Sequence, residues 1–165
     1  MSIVSLDIDQ AIGTIWDANL DWEFKKNWDD DNRERYPVLH DQEAGPGQPW
    51  PYCVVEIQKP AVVTRMSGHD KQEKHEIRDV PVEFRVHARE VSSSGKTAKV
   101  IAGELADFVL SYFGGHPTAV PKSAALVYGN CLISQYQSHF GTRTGDDEYQ
   151  MTINYLFRLD VPVMV

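Results

Sequence analysis

The sequence has little cysteine, no long apolar run and no excess of positive charge. Its 165 residues include two cysteines, Cys53 and Cys131, and 16 basic residues against 24 acidic ones. No apolar stretch approaches the roughly 20 residues that a membrane-spanning helix requires, so we expect no contact with membranes. The formal net charge of −8 disfavours nonspecific DNA binding as the main activity. The default interpretation of the cysteines is two buried free thiols, with a disulfide between neighbouring strands as the alternative.

Motifs for catalysis and for metal binding are also missing. None of the six histidines is part of an H-x-x-x-H arrangement, and no C-x-x-C or G-x-S-x-G sequence occurs. The acidic run at 29–31 begins like a calcium-binding loop, but Arg33 and Glu34 break the required spacing. The N-terminus has neither the basic segment nor the apolar core of a signal peptide, and we expect none. We therefore predict no catalytic residues, no metal, no cofactor and no enzymatic activity.

The best match to an enzyme motif is Gly95-Lys96-Thr97, which lies between a predicted strand and a predicted helix. A phosphate-binding P-loop reads G-x-x-x-x-G-K-[ST], and its first glycine would fall at Glu90. A carboxylate there would repel phosphate, and its side chain would hinder the tight loop that directs backbone N–H groups at the anion. We therefore favour a structural interpretation, in which Ser94 or Gly95 caps the helix and Lys96 lies in an exposed first turn.

Two strand patterns and one helix pattern are clear. Apolar residues occupy alternate positions in 80–89 and in 149–161, a period of two that predicts strands with one solvated face. Between them, the apolar residues of 97–113 repeat at helical spacing, which predicts an amphipathic helix ended by Gly114 and Gly115. A solvated face favours an antiparallel sheet over a parallel one.

Weaker patterns assign the remaining segments. The expected elements are a helix at 5–20, a long aromatic and acidic surface loop at 21–50, a strand at 52–58, a hairpin at 60–76, a strand at 125–140 and a turn at 141–147. The last two strands are joined by a short turn and must pair as a long hairpin. We predict a single α+β domain, 1–165, with a mainly antiparallel sheet of about four strands and two helices packed on one face. The predicted order is helix-strand-strand-helix-strand-strand.

The polar face of the predicted sheet carries a strip of basic side chains. Arg85, His87 and Arg89 alternate along one strand beside Glu83, and Arg158 lies on the polar side of the last strand. Two interpretations remain open. One is a solvated sheet face, which is common in antiparallel sheets, and the other is a subunit interface, where arginine is favoured.

The order of segments resembles that of the tail-terminator (tail-completion) proteins of long-tailed bacteriophages. The matching layout is an N-terminal helix, a long loop, a strand opened by Trp50-Pro51-Tyr52, a variable hairpin, a strand at 79–88, a helix at 96–113 and a closing hairpin at 125–163. Proteins of this family are small α+β proteins that form a hexameric ring on the end of the tail tube. The resemblance covers most of the chain, and the family has no catalytic motif to carry over.

The resemblance implies a structural protein of the virion. The chain would cap the tail tube as a homo-oligomeric, hexameric ring, stop tube polymerisation and join the tail to the head, with DNA passing through the lumen without specific binding. Its partners would be the tail-tube protein and the head–tail connector (stopper) protein. It would lie in the host cytoplasm during assembly and in the virion tail afterwards. Contacts with these partners or with neighbouring subunits are expected at Trp28, Arg33, Arg35, Trp50, Arg65, His69, Lys71, Lys74, Arg85, His87, Arg89 and Arg158.

Three alternatives stay open at this point. Another phage neck or head-completion protein would differ from a tail terminator only in its partner. An enzyme that uses Gly95-Lys96-Thr97 or a histidine cluster would bind nucleotide or metal, and Lys96→Ala would abolish nucleotide binding. A monomeric α+β domain would stay monomeric when concentrated and when mixed with tail tubes.

Overall fold

The computed structural model describes two helices and six strands. The described residues are 9, 10, 12–14, 16, 17, 37–41, 43–45, 47, 50–59, 61–67, 74–90, 95–113 and 131–163, of which 61–67, 74, 75, 112, 131–135 and 160–163 are described by their backbone only. The strands are β1 (Val38–Asp41), β2 (Tyr52–Ile57), β3 (Ala61–Ser67), β4 (Lys74–Arg89), β5 (Cys131–Gly145) and β6 (Glu148–Val163). The described residues between 9 and 17 are helical and are called α1, and α2 spans Ala98–Phe113.

The strands form one sheet in the order β1-β2-β4-β6-β5, and β3 pairs with the N-terminal part of β4. The β1–β2 pair is parallel and the other pairs are antiparallel. The mixed α+β class and the long closing hairpin are therefore confirmed. The predicted count of four strands is wrong, because β1 lies inside the expected loop at 21–50 and β3 forms half of the expected hairpin at 60–76. The second strand of that hairpin runs on without a break into the strand predicted at 80–89, so the order is helix, four strands, helix, two strands.

Alternation along β4 builds the core. The even-numbered residues from Val80 to Ala88 face the helices and are almost fully buried. Phe84 has no exposed surface, and its ring lies against Phe113 of α2 and Tyr155 of β6, at centroid distances of 4.9 and 5.7 Å. The period of two that predicted the strand therefore also selects the face that the helices cover.

The start of α2 differs from the prediction in its cap. The helix begins at Ala98, and the Thr97 hydroxyl accepts a hydrogen bond from the backbone N–H of Val100 at 3.4 Å. Thr97, rather than Ser94 or Gly95, is thus the capping residue. Gly95 lies in the preceding turn with a left-handed backbone (φ 68°), where glycine is favoured over residues with a Cβ.

Lys96 is committed to an ion pair within the chain. Its ammonium lies 2.9 and 3.1 Å from the two carboxylate oxygens of Glu104, and the side chain is half-buried. The expectation of an exposed first-turn lysine is wrong, because Lys96 precedes the helix and its side chain extends along it to Glu104. A P-loop lysine reaches a phosphate instead, so this contact supports the structural interpretation of the motif.

Helix α1 is attached to the sheet through Trp16. The indole is 1% exposed and packs edge-on against Phe108 of α2, with ring centroids 5.1 Å apart. Its Nε1 donates a hydrogen bond to the carbonyl of Pro37, 3.0 Å away. Since Pro37 immediately precedes β1, this bond ties the helix to an edge strand that the sequence pattern did not predict.

Trp16→Phe is expected to lower the free energy of unfolding by about 2 kcal/mol. The Pro37 carbonyl would lose its donor, and the smaller ring would leave a void beside Phe108. Chemical denaturation followed by circular dichroism measures the change. Asp17→Ala, at an exposed position of the same helix, is the matched control and should change stability by less than about 0.5 kcal/mol. Equal effects of the two substitutions would contradict the assigned role of Trp16.

The turn of the closing hairpin is shorter than expected. Only Asp146 and Asp147 form it, so the turn predicted at 141–147 is wrong, and 125–130 lie outside the described residues. Gly141 belongs to β5 rather than to the turn. The ring of Tyr149, from the neighbouring strand, lies across it. A Cβ at this position would come within 2.7 Å of Cζ of that ring. Glycine thus serves here as a site of close approach inside a strand rather than as a turn residue.

Candidate functional site

The buried core lies between the helices and one face of the sheet. The odd-numbered residues of β4 from Asp79 to Arg89, with the residues of β2 and β6 that pair with them, form the opposite face, which we call the polar sheet face. Most of its described side chains are half-buried rather than exposed, and Val54 and Thr152 within it are each only 3% exposed. Long neighbouring side chains therefore cover this face and order one another.

The three arginines of the polar sheet face are all paired with carboxylates. The pairs are Arg85 with Glu56 and Glu83, Arg89 with Glu148, and Arg158 with Asp79, at nitrogen–oxygen distances between 2.8 and 2.9 Å. Burial alone would lower the pKa of Arg85, but hydrogen bonds to the two carboxylates outweigh it and raise the pKa, so the guanidinium stays charged. Charges neutralised in this way cost less desolvation free energy, when they are buried against a partner, than isolated charges do.

An aromatic cluster adjoins these pairs, and we define it as Trp50, Tyr52, His87 and Arg89. Tyr52 and His87 are opposite residues in the β2–β4 register, and their rings stack at 4.7 Å with planes 17° apart. Trp50 packs edge-on against Tyr52 at 5.0 Å, and the guanidinium carbon of Arg89 lies 4.4 Å from the centre of the indole ring. The cluster thus combines tyrosine, tryptophan and arginine, which are the residue types enriched at protein interfaces.

His87 takes part in this cluster as an uncharged ring. Burial lowers its pKa below the ordinary value, and the nearby positive charge of Arg85 lowers it further. A neutral imidazole can stack flat on Tyr52 without an unpaired charge. The cluster therefore keeps its form at neutral pH.

His40 extends the cluster to β1 at the sheet edge. Its ring packs edge-on against Tyr52 at 5.8 Å, and burial lowers its pKa. Its Nε2 is buried and has no hydrogen-bond partner among the described residues. The edge strand is thus joined to the polar sheet face by a ring contact rather than by an ion pair.

Two carboxyl groups meet where α1 approaches the end of β1. Asp9 of α1 and Asp41 of β1 share a side-chain hydrogen bond, and partial burial together with the negative charge of Asp41 raises the pKa of Asp9 to about 6. Glu43 follows closely, with its backbone N–H bonded to the Asp41 carbonyl at 2.8 Å. No described lysine or arginine forms an ion pair with these three side chains. This edge of the sheet therefore carries negative charge without a described counter-charge.

Asp41→Asn is expected to raise the melting temperature near neutral pH and to flatten its dependence on pH. The pKa of Asp9 is about 6 in the folded chain, against an ordinary value of 3.8. The folded chain therefore binds this proton more tightly than the unfolded chain does. The stabilisation from that proton is fully present below about pH 4 and is lost as the pH rises through about 6. Removing the Asp41 charge lowers the pKa of Asp9, and so narrows the pH range over which the stability changes. Thermal melts at about pH 5 and pH 7.5 measure the effect.

Glu43→Gln is the control for Asp41→Asn. It also removes one negative charge from this edge, but it leaves the hydrogen bond between Asp9 and Asp41 intact. It should keep the difference between the two melting temperatures close to that of the unmodified chain. If Asp41→Asn leaves that difference unchanged as well, the Asp9–Asp41 contact does not control the pH dependence.

The structure brings four of the predicted contact residues together and places a fifth apart from them. Trp50, Arg85, His87 and Arg89 lie in one region of the polar sheet face. Arg158 lies on the same face but pairs with Asp79, which at the rise of an extended strand is roughly 33 Å from residue 89 along β4. Of the others, Arg65 and Lys74 lie on β3 and β4, where only the backbone is described. The remaining predicted contact residues lie outside the described residues, and they are Trp28, Arg33, Arg35, His69 and Lys71.

Sequence reasoning missed several members of this site, among them Tyr52, Glu56 and Glu148. The signal for the first two was present, because Tyr52, Val54 and Glu56 alternate with the buried residues of β2. Glu148 begins a strand that was expected to begin one residue later. Their roles depend on which strand lies beside which, and the alternation of a single strand does not contain that information.

A shallow cleft of about 350 Å³ lies at the turn of the closing hairpin. Side chains of both charge signs line it, among them Glu90, Lys99 and Arg143, together with Tyr149. No group of three or more histidine, cysteine or acidic residues that could hold a metal occurs in the part of the chain that the structure describes. Of the helices described, none is long and apolar enough to cross a membrane. The expected lack of enzymatic activity and of cofactors stays a prediction.

Cys53 is a buried free thiol, as the sequence predicted. It has no exposed surface, and burial raises its pKa far above the ordinary value. A thiol that stays protonated is a poor nucleophile. Cys53 is therefore a packing residue of the core, whereas only the backbone of Cys131 is described.

Similarity to known proteins is weak. No family model matches the sequence, and no curated protein matches it. Among solved structures, a chain described as "Virion of native gene transfer agent (GTA) particle" aligns with a TM-score of 0.46 and 10% identity, covering 92% of this chain and 94% of that chain. A likeness at this level carries no argument about function.

Proposed function

We propose that the chain is a structural virion protein that caps a phage tail tube as a ring, stops its polymerisation and joins the tail to the head connector. The observation that carries the proposal is the polar sheet face, where paired charges adjoin the aromatic cluster. The layout of segments, which resembles that of tail-terminator proteins, supports the same role.

The polar sheet face has the properties of a surface that is buried on assembly. Tryptophan, tyrosine and arginine dominate the binding energy of many interfaces. Here Trp50, Tyr52 and Arg89 already hold one another in place, so a partner would lose little side-chain entropy by ordering them.

The charge of the chain suits a ring through which DNA passes. With a net charge of −8, the protein as a whole repels the phosphate backbone. The arginines of the polar sheet face are paired with carboxylates and so do not form a free basic strip. DNA could then slide through a ring of such subunits without being bound.

Negative-stain microscopy of the purified chain, alone and mixed with the tail-tube protein of the same genome, tests the proposal. We expect six-fold rings, or tubes closed at one end and held at a fixed length. The matched control is Lys99→Ala, which removes an exposed charge from α2 and should preserve capping. Featureless monomers that leave the tubes unchanged would overturn the proposal.

Nucleotide titration tests the enzyme alternative separately. Lys96 is held by Glu104, so we expect no saturable binding of ATP or GTP by the unmodified chain. Saturable binding that Lys96→Ala abolishes would show that the ion pair opens to admit phosphate, and would favour the enzyme.

A further inference from the structure

The two edges of the described sheet are different surfaces, β1 on one side and β5 on the other. Strands β1, β2 and β6 run in one direction, and β4 and β5 run in the other. If β5 of one copy met β1 of a second copy, the two strands would be antiparallel and the sheets could continue with the helices on the same side. A contact between two different patches of the same chain is heterologous, and repeated contacts of that kind form a ring when the rotation from one copy to the next closes the circle.

The β5 edge offers a regular, exposed stretch. Residues 138–143 lie between two bulges of the strand, and all of them are exposed. Phe140 has 56% of its surface exposed, which is unusual for a large aromatic side chain. Arg143 donates a hydrogen bond to the Asp146 carbonyl at 3.1 Å, but it has no carboxylate partner among the described residues. This edge therefore presents an apolar ring and an unneutralised positive charge.

The β1 edge has the complementary character. Asp41 and Glu43 are exposed at the end of the strand, and Asp9 lies beside Asp41. The negative charges crowd one another, and no described basic residue offsets them. An arginine supplied by a second copy of the chain would relieve that repulsion.

The strand register places the complementary residues on matching sides of the sheet. One row of paired residues crosses all five strands of the main path, and it consists of His40, Val54, Arg85, Thr152 and Phe140. His40 and Phe140 thus share the polar sheet face, at its two ends. Since side chains alternate along a strand, Asp41 and Arg143 lie on the other side, the one that carries the helices.

We propose that residues 138–143 of one copy dock antiparallel against β1 of the next copy, with Thr142 opposite His40. In this register Arg143 lies diagonal to Asp41 on the side of the helices, and Phe140 lies diagonal to His40 on the polar sheet face. The contact depends on the proposed function, since it supplies the subunit interface of the ring. The bulges that flank 138–143 limit the pairing to these six residues, a length close to that of the four-residue β1. The same bulges protect the rest of β5 from indiscriminate pairing.

Disulfide trapping in the full chain tests the contact. Thr142→Cys is combined with His40→Cys, while Cys131 is replaced by serine and the buried Cys53 is kept. The two new cysteines lie on opposite edges of one chain, roughly 19 Å apart across four strand spacings, so they cannot bridge within a monomer. Mild oxidation should therefore give a ladder of covalent oligomers on a non-reducing gel. The matched control pairs His40→Cys with Asp107→Cys, at an exposed position of α2 outside the cleft that holds Arg143, and should give roughly tenfold less trapping.

Charge exchange tests the proposed pairing itself. In the trapping background, Arg143→Glu should reduce the ladder roughly tenfold, because it places like charges at the contact. Adding Asp41→Arg to the same chain should restore the ladder. The proposal would be overturned if the yield of the ladder equals that of the control pair, or if it is unchanged by both charge substitutions.

Capping of tail tubes is scored on the same preparations, so that failure of the contact and failure of the proposed function are told apart. Tubes capped without a ladder would mean that the ring uses another interface. A ladder without capping would retain the contact and remove the tube-capping function. Absence of both would overturn both proposals.

Discussion

Phe84→Ala is expected to lower the free energy of unfolding by about 3–5 kcal/mol. The ring has no exposed surface, and it lies between Phe113 of α2 and Tyr155 of β6, so its removal opens a cavity where the helix meets the sheet. Neither neighbouring ring can fill that cavity without leaving its own site. Urea denaturation followed by circular dichroism measures the loss.

Val100→Ala, on the exposed side of α2, is the control for this prediction. Its side chain is 49% exposed, and the expected change in stability is under about 0.5 kcal/mol. A loss of less than about 1 kcal/mol for Phe84→Ala would mean that the core is packed differently around β4.

Trp50→Ala is expected to weaken binding to tail tubes roughly thirtyfold, which corresponds to about 2 kcal/mol. The indole holds Arg89 over its face and supports Tyr52, so its removal dismantles the aromatic cluster rather than a single contact. Trp50→Phe keeps an aromatic ring and should recover part of the affinity. Co-sedimentation of the protein with assembled tubes measures binding, and a thermal melt of each variant separates lost binding from lost folding.

Lys99 lies away from the polar sheet face, on α2. The Lys99→Ala variant should therefore bind tubes as the unmodified chain does. If Trp50→Ala also binds tubes with unchanged affinity while remaining folded, the polar sheet face does not contact the tube. In that case the cluster would have only a structural role at the junction of β2 and β4.

The core of this fold could be predicted from the sequence because it depends on local periodicity. The alternation from Val80 to Ala88 and the helical spacing of 97–113 follow directly from which face each residue buries. Strand β1 could not be predicted in this way. It has four residues, and it is held in the sheet by parallel pairing with β2 and by the bond from Trp16 to Pro37, both of which are tertiary contacts.

The candidate site was predictable in composition but not in arrangement. The period of two along the strand is enough to place Arg85, His87 and Arg89 on one face. Their contacts depend on the register that sets Tyr52 opposite His87, and on the pairing that sets Glu148 opposite Arg89. Register depends on every side chain along both strands at once, so a single-strand pattern cannot specify it.

The capping function is tested by the effect of the purified chain on growing tail tubes. Tube protein is polymerised, the chain is added in increasing amounts, and the length distribution is followed by electron microscopy. Elongation should stop when each growing end has received about one ring of subunits, far below one chain per tube subunit. Elongation that continues at an unchanged rate with the chain in excess over tube ends would contradict the capping function.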